Sequence, residues 1–184
     1  MGVGFAVAEA MLAAKYNKPE FTVIDHYTYG LTSDGDLMEG VASEAASLAG
    51  TLGLGKLIYL YDDNKITIEG STDIAFTEDV EARFKAYGWQ VLRVADSEDI
   101  EAMEAAVKEA QADTEHPSLI IVRTHIGYGS PKQDSASCHG EPLGAEALAL
   151  TKEKAGWPVG QPFYVPLTVS QYFKNKIEDC EGDQ

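Results

Sequence analysis

Short apolar strands alternate with helix-length segments along nearly the whole chain, and this alternation limits the available folds more than any other feature. Phe21–Tyr27, Lys56–Tyr61, Trp89–Val94 and Ser118–Thr124 are rich in β-branched and aromatic residues and read as strands. Between and around them Gly4–Tyr16, Glu39–Leu52, Glu78–Tyr87, Ser97–Ala112 and Ala145–Ala155 read as helices. The first helix has Phe5, Ala8, Leu12 and Ala13 near one face and stops at Asn17-Lys18-Pro19. Asp96 or Ser97 is expected to cap the fourth helix, and the polar tail from Lys174 is expected to be loose. Such alternation predicts an α/β fold: a parallel sheet with helices on both faces. Ligands of such sheets bind beyond the C-terminal strand ends. The loops after Tyr27, Tyr61 and Thr124 are therefore where function is sought.

Composition removes several classes. A length of 184 residues suits one domain with a real core. Against 30 Asp+Glu there are 14 Lys+Arg, a net charge of −16, so nucleic acid and an anionic membrane surface are excluded as partners. No apolar run reaches the length of a membrane span. The apolar N-terminus lacks a basic region and carries Glu9, so it reads as a helix and not as a signal peptide. Cys138 and Cys180 fit neither a zinc spacing nor a disulfide framework, and reduced thiols in the cytoplasm are expected.

Each informative loop carries unusual chemistry. Ser33-Asp34-Gly35-Asp36 precedes a helix: a carboxylate there can hold a hard cation, glycine lets a ligand approach the backbone, and helix N-terminal amides favour anions. A metal-bridged phosphate satisfies all three, whereas by itself the segment is an ordinary Asp-Gly turn. An EF-hand starting at Asp34 fails, because its sixth and twelfth positions hold Glu39 and Ala45. An aspartyl phosphatase with Asp34 as nucleophile stays open as an alternative, although Leu37-Met38 follows the Asp34-x-Asp36 pair where Gly-Thr is usual. The next helix is built from small residues, Ala42, Ser43, Ala45, Ala46, Ser47, Ala49 and Gly50, as close packing on more than one side would require. Glu44 shares a face with Val41, Ala45 and Leu48 and is expected to be buried with a raised pKa. In the second loop the Asn64 side chain and the Ile66 carbonyl are further oxygen donors, completing a three-oxygen set with Asp34 that suits Mg²⁺. In the third, His139 could donate to a phosphate or move protons near neutral pH. Cys138 beside it makes no convincing dyad, since sequence neighbours point apart. His26, His116 and His125 read as ordinary surface residues.

Together these blocks resemble transketolase. The resemblance rests on Asp34-Gly35-Asp36-Leu37-Met38-Glu39-Gly40, Ser43-Glu44-Ala45, Asp63-Asn64-Lys65-Ile66-Thr67-Ile68-Glu69-Gly70, Ala82-Arg83-Phe84-Lys85-Ala86-Tyr87-Gly88-Trp89, Ile126-Gly127-Tyr128-Gly129-Ser130 and His139-Gly140-Glu141-Pro142-Leu143-Gly144. It runs from about Gly4 to Phe173, giving a domain over 1–173 and an acidic tail over 174–184. Ser33 and Glu141 depart from residues common in the family, Gly and Ala. The resemblance implies a transferase of the pentose phosphate pathway that moves a two-carbon ketol unit between sugar phosphates, with thiamine diphosphate and Mg²⁺ (or Ca²⁺) as cofactors. Asp34, Asn64 and the Ile66 carbonyl would hold the metal. Gly35, Asn64 and His139 would contact the diphosphate, with His139 also at the substrate oxygen. Glu39 and Glu44 would join an acidic network across a dimer interface.

The family also needs a pyrimidine-binding domain, which these blocks do not include. The chain is therefore expected to begin inside the diphosphate-binding domain, to be inactive alone, and to work as a homodimer or with a companion pyrimidine-binding subunit. A non-catalytic relic or scaffold module of the same fold is the remaining alternative. An apolar former interface is expected near Glu39 to Leu52.

Overall fold

The computed structural model describes the backbone of residues 1–182 and side chains through 178. Four strands, β1 (Thr28–Ser33), β2 (Leu57–Asp63), β3 (Gln90–Val94) and β4 (Ser118–Arg123), form one sheet in the order β1-β2-β4-β3. Every pairing is parallel. Helices α1 (Gly2–Tyr16), α2 (Asp34–Met38), α3 (Gly40–Thr51), α4 (Val80–Ala86) and α5 (Ile100–Ala112) surround it, and α6 (Ser137–Gly140) lies in the loop after β4.

The two-residue side-chain period of the strands divides the core. Leu57, Tyr61, Leu119 and Ile121 pack with Ala6 of α1, Ala46 and Ala49 of α3, and Val80 and Phe84 of α4. Ile58, Ile120 and Val122 face the other way, against Ala106 and Ala110 of α5. Helices thus cover both faces, and β4 is buried along nearly its whole length, as its unbroken apolar run requires.

These secondary elements group into two compact units. The first is Met1–Tyr128 with Gln133–Glu141 and contains the whole sheet. The second is Gly129–Lys132 with the chain from Pro142 onward, including α7 (Ala145–Lys154) and α8 (Leu167–Gly182). Within it Trp157 meets Tyr164 edge-on at 5.5 Å.

Several local expectations change. The first strand is Thr28–Ser33, not Phe21–Tyr27. The Val23 and Ile24 amides donate to Asn17 Oδ1 at 2.8 and 2.9 Å, and Asn17 Nδ2 donates to the Ile24 carbonyl, so this β-prone stretch closes the end of α1 while the next six residues pair with β2. The buried face of α1 carries Ala6 and Glu9; Phe5 is 63% exposed and Ala8 and Leu12 also face out. Burial of Glu9 is compensated by Lys56 at 2.8 Å, which also pairs with Asp25. Asp62 and Asp63 extend β2 two residues beyond its expected end at Tyr61. The cap of α5 is Asp99, accepting from the Ala102 amide at 2.9 Å, because Asp96 accepts from Glu98 instead. The segment from Lys174 continues α8 and is not a loose tail up to Gly182. Cys180 and the last two residues lie outside the described side chains.

Candidate functional site

The site is assembled where β1 and β2 end. Ser33 is the last residue of β1, and its amide and hydroxyl donate to Asp36 Oδ2 at 2.9 and 3.0 Å. This reach-back by the third residue of α2 fixes the strand-to-helix turn. It places Asp34 as the first residue of α2, only 3% exposed. Since Ser33 is in register with Asp62, the next residues of the two strand ends, Asp34 and Asp63-Asn64, adjoin. Tyr61 donates its hydroxyl to Asp34 Oδ1. Asp34 Oδ2 is buried and has no hydrogen-bond partner.

Beyond β2 the chain forms a small hairpin. Asn64 Oδ1 accepts from the Ile66 amide at 2.8 Å, and its Nδ2 donates to Asp62 Oδ2 at 3.2 Å. Lys65 takes a left-handed conformation, φ 65°. Its ammonium lies 2.6 Å from the buried Asp63 Oδ1, which makes no regular hydrogen bond, so this contact is a charge pairing. Thr67 N donates to the Gly70 carbonyl and Thr72 N to the Lys65 carbonyl, closing the hairpin.

The electrostatics follow from this crowding. Burial pushes the Asp34 carboxyl above its usual 3.8; the Tyr61 hydroxyl opposes this, the Asp63 and Asp62 charges add to it, and Lys65 opposes it. Burial and the Asp34 carboxylate push the Tyr61 hydroxyl well above its ordinary value. A buried carboxylate with one orphaned oxygen beside a second buried carboxylate is the arrangement that a cation would relieve.

A cleft of about 620 Å³ opens on these strand ends and is lined by Asp34, Gly35, Glu39, Asn64, Ile66 and His139 among others. Residues expected from three separate loops thus meet in one cavity. His139 is exposed and sits on α6. The β4 end contributes His125, whose Nδ1 lies 2.9 Å from Asp134 and ties off the base of the same loop. Glu44 is not in the cleft and not buried: it is exposed on α3, whose buried face is Ala46 and Ala49. The helix packs by that narrow face alone, so Val41 (68% exposed) and Leu48 (50%) stand outward with Glu44.

The sequence did not single out the hairpin residues Thr67, Ile68 and Glu69, which line this cleft, or Tyr61 and Asp63, which line a smaller neighbouring cavity with Asp34 and Lys65. The alternation Tyr61, Asp63 along β2 was the available signal, since it puts both on the side of α2 and α4. Among the described residues no three His, Cys, Asp or Glu side chains are grouped to share a metal. The donors gathered here are one carboxylate, one amide and one backbone carbonyl.

The fold is a parallel α/β domain with a cleft at its strand ends, lined by Asp34, Asn64 and the exposed Gly35. The family model "Transketolase, thiamine diphosphate binding domain" matches residues 1–184. A transketolase of Nostoc sp. is 55% identical over 183 residues, 98% of this chain and 27% of the relative. A transketolase of Pichia stipitis, solved with sedoheptulose 7-phosphate, superposes with a TM-score of 0.95 at 48% identity, over 98% of this chain and 27% of that one. The transketolase of Leishmania mexicana gives 0.95 at 43% identity, over 99% and 27%. The chain belongs to the transketolase family, as its thiamine-diphosphate-binding domain. It spans about a quarter of the length of these relatives, 27% in each case.

Proposed function

We propose that the cleft at the ends of β1 and β2 holds the diphosphate of thiamine diphosphate through a divalent cation, Mg²⁺ (or Ca²⁺), as part of a transketolase. The reaction is transfer of a two-carbon ketol unit from a ketose phosphate to an aldose phosphate. The cofactor, when bound, supplies the carbon centre that carries that unit. The observation that carries the reading is the buried, unpartnered Asp34 Oδ2 in one cleft with Gly35, Asn64, Ile66 and His139.

Asp34, Asn64 and the Ile66 carbonyl form a hard-oxygen set that suits the cation. A carboxylate above its usual pKa gains most when a positive charge arrives. Gly35, exposed and with no atom within 4 Å of a would-be Cβ, leaves backbone open to the diphosphate. His139 at the cleft wall is placed to donate to a phosphate or substrate oxygen and to move a proton there. Glu39, at the cleft edge, and Glu44, on the exposed apolar face of α3, are assigned to an acidic network with a second copy or a companion pyrimidine-binding subunit. The cytoplasmic assignment goes with the transketolase reading; no described helix is long and apolar enough to cross a membrane. The phosphatase alternative is disfavoured: Asp34 is buried and bonded to Tyr61, and Asp36 is committed to Ser33.

Titration calorimetry with thiamine diphosphate tests the reading. Binding is expected only with Mg²⁺ or Ca²⁺ present and is lost in Asp34→Asn. Metal-independent binding, or none with a pyrimidine-binding partner supplied, would overturn it, and the second result supports the relic reading.

A further inference from the structure

We propose that Tyr61 is a positioning residue for the cation site: it holds Asp34 Oδ1 so that Oδ2 alone is presented to the metal. This rests on the reading of Asp34 as a metal ligand and deepens it. A carboxylate at the first turn of a short helix can rotate about its terminal torsion, which has broad wells. In this structure one oxygen is held by the Tyr61 hydroxyl and the other is buried without a partner, so the two are no longer equivalent. Tyr61 can impose this because it is itself fixed: it is 3% exposed, in the middle of a parallel sheet, paired with Thr32 on one side and Ile121 on the other. Its ring belongs to the core under α3 and α4. The sheet's interior thereby sets the angle at which a loop ligand meets its ion.

A phenol suits the task because it donates one proton and so engages one oxygen, leaving the second to the cation. Lys65 does not compete for Oδ1, because its ammonium is drawn to Asp63. Partners that orient metal ligands from behind change metal affinity by about 10- to 100-fold when removed.

The test is the Mn²⁺ dissociation constant of the chain, measured by electron paramagnetic resonance with thiamine diphosphate present, for wild type, Tyr61→Phe, Asp34→Asn and Ile58→Val. Ile58→Val loosens the opposite core cluster without touching the site and controls for general destabilisation. Melting curves and far-ultraviolet circular dichroism establish that each variant is folded. The expected result is at least tenfold weaker Mn²⁺ binding in Tyr61→Phe, no detectable binding in Asp34→Asn, and wild-type affinity in Ile58→Val. Wild-type affinity in Tyr61→Phe with loss in Asp34→Asn would overturn the role of Tyr61 and leave Asp34 as ligand. Equal weakening in Tyr61→Phe and Ile58→Val would reduce Tyr61 to a stability role. Unaltered binding in Asp34→Asn, or none in wild type, would overturn the ligand assignment and the proposal with it.

Discussion

At the scale of single residues, Asp34 concentrates the tension between stability and function. Its carboxyl is held above its usual 3.8 by burial and by its acidic neighbours, against the Tyr61 hydroxyl. A folded-state pKa above the unfolded one means that the group favours folding while protonated and loses that contribution as pH rises through the folded value. Without metal, Asp34→Asn should therefore raise the melting temperature at neutral pH by about 4 °C. The gain should shrink as pH falls and the wild-type carboxyl takes up its proton. Scanning calorimetry at several pH values checks this; a gain independent of pH would assign the effect to packing. The residues gathered in the cleft were the most legible part of the sequence. Asp34, Gly35, Asn64 and His139 follow strand ends, in a turn or in one-turn helices, where a carboxylate, glycine, amide or imidazole has little structural reason to cluster. Tyr61 and Asp63 were hidden because their roles depend on which strand lies beside which, and on an alternation within a run that reads simply as strand. Glu44 was misjudged since the same small-residue pattern suits a helix packed on one narrow face.

At the scale of elements, the positions of α2 and α3 depend on close approaches to α4 and β3. Gly50 of α3 has no room for a side chain: an added Cβ would lie 1.8 Å from the Tyr87 carbonyl oxygen. Gly50→Ala should destabilise the chain by about 3 kcal/mol, read from urea unfolding, because backbone must move to admit the methyl. The same contact is tightened by the Trp89 indole, which donates to the Ala46 carbonyl at 2.8 Å. Arg83 of α4 does a similar service for α2. It donates to the Leu37 carbonyl at 3.2 Å, pairs with Glu78 at 2.9 Å and lies over the rings of Phe76 and Phe84. Arg83→Met keeps the apolar stem against those rings but strips a carbonyl near the end of α2 and the Glu78 carboxylate of their donor. It should cost about 2 kcal/mol and speed amide exchange at Met38 and Glu39 more than in β4; equal acceleration in both would make it a global effect. The order of the four strands and of α1, α3, α4, α5 and α7 was readable from periodicity, whereas the short α2 and α6 and the polar α8 were not. Element edges were less readable, and the first strand was displaced by a whole segment. Local β-preference favours Phe21–Tyr27, but the edge of the sheet selected Thr28–Ser33 through pairing with β2, while Asn17 occupied the backbone of Val23 and Ile24.

At the scale of the whole molecule, α3 exposes the apolar side chains of Val41 and Leu48 on either side of Glu44. The expected interface near Glu39 to Leu52 therefore coincides with outward-facing apolar side chains. A net charge of −16 opposes self-association, so screening by salt should strengthen it. Sedimentation velocity should show association that increases with salt in wild type and weakens about tenfold in Leu48→Lys. A monomer at all salt concentrations would remove α3 as a contact face. The same acidity favours the proposed arrangement, in which a cation stands between the anionic cofactor and Asp34. A crystal structure of the chain grown with thiamine diphosphate and Mn²⁺, with anomalous scattering to locate the metal, tests this arrangement. One strong anomalous peak is expected about 2.2 Å from Asp34 Oδ2, within reach of Asn64 and the Ile66 carbonyl, with the diphosphate over Gly35. Cofactor bound with no metal at Asp34, or metal and diphosphate bound elsewhere, would contradict it.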